Sequence, residues 1–212
     1  MKDSAMPAFV IGIGGGSAAG KSAVAEELRS LLPPLRLQLM SQDEYFLTGE
    51  QLPRHAAPGG GRSWPDHNHP DSFDVGRLRS DLRAAREGNA DVVILEGILV
   101  LYDAELRELM DLKLFVDADA DERIVRRIRR NVARGHDLAG ICNFYLDSVR
   151  YRHHEFCEPT RCHADLIIPG GAHQADHRKK LLTEICEHVR AARGPSPVGS
   201  DQPRTASESA HE

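Results

Sequence analysis

A chain of 212 residues with a formal net charge of −5 and a pI near 6.1 is most simply one domain with room for a sizeable core. Its mild acidity argues against non-specific nucleic-acid binding, and no apolar run approaches the roughly 20 residues of a membrane span. Four cysteines without regular spacing fit reduced thiols in a cytoplasmic protein, and Met1 to Pro7 carry no apolar stretch of the kind a secretory signal needs.

The chain opens on a buried strand over 8–13, followed at once by Gly15-Gly16-Ser17-Ala18-Ala19-Gly20-Lys21-Ser22. Gly15 and Gly20, then Lys and Ser, make a P-loop in the place such a loop requires, between a buried strand and a helix. Glycine clears the turn of side chains, so successive backbone N–H groups point at phosphate oxygens, and the helix from Lys21 adds its positive end. Lys21 then reaches the outer phosphates, and the Ser22 hydroxyl ligates Mg²⁺. Gly14-x-Gly16-x-x-Ala19 also fits a relaxed dinucleotide fingerprint, with Asp43 at a ribose-contacting distance, but that reading leaves Lys21-Ser22 without a purpose.

The first helix, 21–32, stops at Pro33-Pro34, and a strand follows over 35–40. Segment 44–73 contains Pro53, Pro58, Gly59-Gly60-Gly61, Pro65 and Pro70, and reads as a long functional loop rather than an element. A helix over 74–87 sets Val75, Leu78, Leu82 and Ala85 on one face. Then come a strand at 91–95, a short helix near 103–110, a strand at 112–117, and helices at 119–134 and about 138–156. A strand at 164–168 and a helix at 174–193, with Leu182, Ile185 and Val189 aligned, complete the pattern. Such alternation predicts an α/β P-loop fold, a five-stranded parallel sheet flanked by helices on both faces. Residues 1–193 form the domain, with a lid at about 119–140 and an acceptor-side loop at about 44–73. The Pro-, Ser- and Gly-rich stretch 194–212 is expected to be a disordered tail.

Asp43 follows the second strand on the sheet edge that carries the P-loop. A carboxylate there accepts a hydroxyl proton or binds Mg²⁺, or else simply caps a turn. Glu96 ends the strand Val92-Val93-Ile94-Leu95, where an acid contacts the metal or its water, or marks entry to a helix. In helix 119–134, Arg123, Arg127, Arg130 and Arg134 share one stripe, and Ile124, Val125, Ile128 and Val132 another. The helix dipole alone favours arginines late in a helix, but four on one stripe exceed that need and suit a phosphate-facing lid. His153, His154, Cys157, Cys162 and His163 cluster in sequence, yet their spacing matches no zinc pattern.

Several separated segments resemble the uridine kinase family of P-loop kinases, in the same order. They are Ile11 to Ser22, Ser41-Gln42-Asp43, His69 to Asp74, Leu95-Glu96-Gly97-Ile98-Leu99, Phe115 to Asp121, Glu155 to Thr160, and Ala164 to Pro169. The resemblance covers about Phe9 to Val189. It implies transfer of the ATP γ-phosphate to a nucleoside 5′-hydroxyl, with Mg²⁺. By position it makes Asp43 the general base and Ser22 and Glu96 the Mg²⁺ shell. Lys21, Arg127, Arg130 and Arg134 become the phosphate contacts, with Lys21, Arg127 and Arg130 carrying the catalysis.

The acceptor side departs from the family. Its base-binding hairpin, between the helix after His69-Pro70-Asp71 and the Glu96 strand, has no room in Gly88 to Asp91. Its Asp-His-Pro reads Asn68-His69-Pro70, with Asp66 two residues earlier as a substitute ribose ligand, and its Gln before Tyr reads Phe144 before Tyr145. The lid's Arg-Gly-Arg-Asp reads Arg134-Gly135-His136-Asp137. Asn68, Asp66, His69 and Phe144 are thus the acceptor-side candidates, with Trp64 and Tyr145 as further stacking surface. A shortened base region also resembles nicotinamide riboside kinases, so a nicotinamide riboside or other riboside or sugar kinase is the alternative. A nucleotide-binding regulatory protein without an acceptor is the second; the Asn-Lys-x-Asp of guanine-specific switches is absent. A small-molecule partner is expected, with no nucleic acid and no membrane, and a homo-oligomer is compatible with the chain.

Overall fold

The computed structural model describes residues 6–57 and 62–194; most of the 194–212 segment expected to be disordered lies outside the described residues. Five strands form a parallel sheet: β1 (Phe9–Gly15), β2 (Leu37–Ser41), β5 (Val92–Glu96), β6 (Leu112–Asp117) and β7 (Leu166–Pro169). Their spatial order is β2-β5-β1-β6-β7. Runs such as Val92-Val93-Ile94-Leu95 are apolar on both sides because the sheet is covered on both faces.

On one face pack α1 (Lys21–Leu31) and the C-terminal helix (Ala175–Arg193), through Leu28, Leu182, Ile185 and Val189 against Ile11, Ile13 and Ile94. On the other lie α2 (Val75–Arg86) and α3 (Ala104–Glu108), through Leu78, Leu82 and Leu106 against Val10, Val93 and Leu95. Asp74 and Asp103 cap these helices, accepting from Arg77 N and Leu106 N, each at 2.9 Å. The predicted strands and helices are present, with boundaries shifted by a residue or two.

Register places the site. Ile13 and Ser41 both lie opposite Glu96, and Gly15 opposite Val116. The carboxyl ends of β1, β2 and β5 therefore form one shelf, the ligand-binding edge of an open parallel sheet.

Two expectations differ from the structure. Segment 44–73 is not simply a loop: β3 (Arg54–Ala56) and β4 (Ser63–Pro65) form an antiparallel ladder, with 3₁₀ turns on either side. The helix expected at 138–156 is continuous but uneven. It runs as α5 (Leu138–Phe144), a π turn (Tyr145–Val149), α6 (Arg150–Arg152) and a second π turn (His153–Cys157). α4 (Ala120–Ala133) has no fully buried residue, and its Val125 and Val132 are nearly half exposed.

Candidate active site

The P-loop leaves β1 through Gly15, whose φ of +137° is a conformation that glycine adopts and L side chains rarely do. A Cβ there would stand 2.5 Å from the Val116 carbonyl oxygen. Ala18 at φ +63° and Gly20 at φ +108° complete a turn that opens directly into α1, an N–H cradle of the kind that holds phosphate.

Lys21 is buried beneath the loop and donates to the Gly16 carbonyl at 3.0 Å. Burial pushes its ammonium pKa down, against the pull of Glu96 and Asp43. The Ser22 hydroxyl donates to Glu96 Oε1 at 3.1 Å, and Ser41 to the same oxygen at 3.4 Å. One carboxylate and one hydroxyl suit Mg²⁺, which keeps waters and phosphate oxygens in its remaining positions. Among the described residues, no group of three or more His, Cys, Asp or Glu side chains could hold a metal ion by itself.

Asp43 sits in the 3₁₀ turn just after β2, its backbone N–H donating to Ser41 Oγ at 3.3 Å. The buried Gln42 beside it accepts from Leu99 N at 2.9 Å. That bond ties the Asp43 turn to the loop after Glu96, and it explains why Gly97 is glycine. A Cβ there would collide with the Gln42 side chain.

From α4, Arg127 donates to Ser17 Oγ at 2.9 Å, and its Nε is buried without a partner. Burial and the neighbouring Arg130 lower its pKa to about 10, so it remains a cation at neutral pH. Arg127, Arg130 and Arg134 line one cavity of about 410 Å³ together with Ser17, Ala18, Lys21, Ser22, Asp43 and Glu96. Arg123 stands apart from these three: its Nε donates to Ala118 O at 3.0 Å, and its guanidinium packs over Gly16 beside His153.

Asn68 and Phe144 line the same cavity, with Phe46 and His67. The other two acceptor-side candidates do not. Asp66 is fully buried, its Oδ2 held by Arg152 Nε at 2.6 Å and its Oδ1 accepting from Asn68 N at 3.0 Å. It shapes the turn that presents Asn68 and is closed to a ligand. His69 spends Nδ1 as acceptor for Asp71 N at 3.1 Å and packs edge-on against Phe156.

A second cleft of about 300 Å³ opens on the far side of the P-loop, between Ala19, Gly20, Ala23 and Val24 and the loop at Gly170–Ala172. Arg126 spans it, donating to Gly170 O at 3.0 Å and pairing with Glu122 at 2.6 Å; Arg178 lines its other end. The sequence reading missed both arginines. Arg126 lies off the Arg123–Arg134 stripe, and only the contact between α4 and the loop after β7 gives it a place.

Cations on two sides of one cavity and an exposed carboxylate on a third suit a phosphoryl group passing to a hydroxyl. The class is that of P-loop phosphotransferases with a hydroxyl acceptor. The sequence is 37% identical over 187 residues to a uridine kinase of Lactococcus lactis, covering 77% of this chain and 88% of that protein. It is 36% identical over 188 residues to a uridine kinase of Clostridium botulinum, covering 77% and 89%. The model of the phosphoribulokinase/uridine kinase family matches residues 72–175. The fold is shared with a kinase assigned to a fructose transport system in Silicibacter sp. TM1040, at a TM-score of 0.56 and 16% identity, over 77% of this chain and 90% of that one. The chain belongs to the phosphoribulokinase/uridine kinase family. Among the described residues, no helix is long and apolar enough to cross a membrane.

Proposed function

We propose that the protein transfers the γ-phosphate of ATP to the 5′-hydroxyl of a nucleoside, giving the 5′-monophosphate, ADP and a proton. The observation that carries this reading is the convergence of Lys21, Ser22, Asp43, Glu96 and three arginines on one cavity. The P-loop N–H groups hold the β-phosphate, and Lys21 and Arg127 face the outer phosphates from opposite walls. Ser22 and Glu96 would hold Mg²⁺, which when bound would supply positive charge against the phosphates of the donor. Asp43 takes the hydroxyl proton, and Asn68 contacts the sugar.

The cleft spanned by Arg126 takes the adenine of the donor, since it adjoins the P-loop on the side away from Asp43. α4 acts as the lid: it delivers three arginines to the phosphates while burying nothing in the core. Replacing Asp43 with Asn tests the base. Turnover falls by roughly 10²- to 10⁴-fold while ATP affinity, measured by calorimetry, stays within a factor of about two. Turnover equal to that of the unaltered protein removes Asp43 from the role.

A further inference from the structure

Two side chains press on the P-loop at Gly16. A Cβ on that residue would lie 2.4 Å from Arg123 Nη1 and 3.1 Å from His153 Cε1. His153 opens the second π turn and keeps only 10% of its side chain exposed. Glu158 Oε2 stands 3.2 Å from its Nε2. Arg161 in turn reaches Glu158 at 3.7 Å and Asp117, at the end of β6, at 3.0 Å. A carboxylate on that side fixes the ring proton on Nε2 and leaves Nδ1 a lone-pair acceptor. Nδ1 is buried and has no hydrogen-bond partner in the fold. Burial, with Arg123, His154 and Lys21 close by, lowers the His153 pKa to about 4, so the acceptor persists at neutral pH.

His153 borders a cavity of about 10 Å³, shared with Ser17, Asn68, Arg123, Ile98 and Val149. That volume holds one water molecule and nothing larger. Ser17, Asn68 and Ile98 also line the catalytic cavity, so the small space lies directly behind the phosphate site. Ser17 Oγ accepts from Arg127 Nη1 at 2.9 Å, and an accepting hydroxyl still has its own hydrogen to donate.

We propose that one water occupies this cavity and completes a donor chain from the lid through the P-loop to His153. Arg127 Nη1–H donates to Ser17 Oγ, the Ser17 hydroxyl to the water, and the water to His153 Nδ1. Nε2–H faces Glu158, and the chain ends on that carboxylate. Arg123, packed over Gly16, offers the same water an N–H, bringing its bonds to about three, the usual number for a buried water. Each link has one donor and one acceptor, so the chain holds the Ser17 lone pair toward Arg127. His153 is thus a positioning residue that acts through Ser17 on the arginine facing the outer phosphates. Its part in turnover rests on the kinase reading, which makes Arg127 a phosphate ligand.

His153→Phe keeps a flat ring and removes the acceptor. Ser17→Ala cuts the chain at the loop, and tests it even if the phenylalanine variant does not fold. Each should lower kcat about 10-fold, with the acceptor KM within about twofold. Together they should cost about 10-fold in all rather than about 100-fold, because one chain is broken once. His153→Asn, which keeps an acceptor oxygen near the Nδ1 position, should recover most of the loss. Calorimetry gives a readout without turnover: the preference for ATP over ADP should fall in both single variants and return with asparagine. Multiplying losses in the double variant, an ATP preference unmoved in both singles, or a crystal structure with a dry cavity overturns the chain. If the preference falls and recovers as stated but no acceptor yields product, the chain stands and the kinase reading falls instead.

Discussion

Replacing Asp66 with Asn isolates the charge of a fully buried carboxylate with almost no change in shape. Asp66 has no exposed surface, and its partner Arg152 keeps a side-chain exposure of only 15%. Removing one member of such a pair strands the other charge, at a cost of about 3–5 kcal/mol. Glu155 also meets Arg152, at 2.6 Å, but is half exposed and recovers under about 1 kcal/mol. The low end, about 3 kcal/mol, is therefore expected; at a urea m-value of about 2 kcal/mol/M the midpoint falls by about 1.5 M. Pairing Asp66→Asn with Arg152→Met removes both charges while the amide oxygen still accepts from Asn68 N. The double variant should regain most of the loss, giving a coupling energy of about 2 kcal/mol in a double-mutant cycle. A coupling below about 0.5 kcal/mol refutes the view that this ion pair, rather than simple packing, holds the turn that presents Asn68.

Arg127→Met should lower kcat by about 10²- to 10³-fold yet leave the melting temperature unchanged or raised, because the variant no longer buries an unpartnered Nε; a lower melting temperature contradicts this. His153 supplies a pH effect. Burial, Arg123, His154 and Lys21 lower its pKa from 6.5 to about 4, although Glu158 lies 3.2 Å from Nε2. A histidine held neutral in the fold charges more readily when unfolded, so stability falls as pH drops from about 6.5 to 4, by up to about 3 kcal/mol. His153→Gln should flatten that slope in urea melts across the window, and an unaltered slope places the effect elsewhere.

The sheet was legible because its strands are short apolar runs with helices between them, and each run has one consistent reading. The P-loop was legible because its function needs particular residues at particular spacing. Strands of three residues carry no such signal, so β3 and β4 merged with the prolines and glycines around them in the sequence, although Arg54-His55-Ala56 and Ser63-Trp64-Pro65 lie on either side of the Gly59-Gly60-Gly61 run. Asp66 shows the harder limit. An aspartate among polar loop residues reads as exposed, and the arginine that buries it stands 86 residues further along the chain. The π turns are equally silent, since one extra residue per turn leaves the apolar pattern of 138–157 ambiguous.

Because α4 contributes no fully buried residue to the core, its free energy of opening is separate from that of the sheet. Amides of 120–133 can exchange with solvent deuterium through local unfolding that leaves Val10, Ile94 and Leu114 packed. Their protection should therefore fall well short of that in β1, and it should rise when a nucleotide gives Arg127 and Arg130 something to hold. In such a helix, substrate binding and helix formation draw on the same equilibrium. Part of the affinity for the donor is then spent on folding, and a variant with a stiffer α4 would bind it more tightly and release product more slowly.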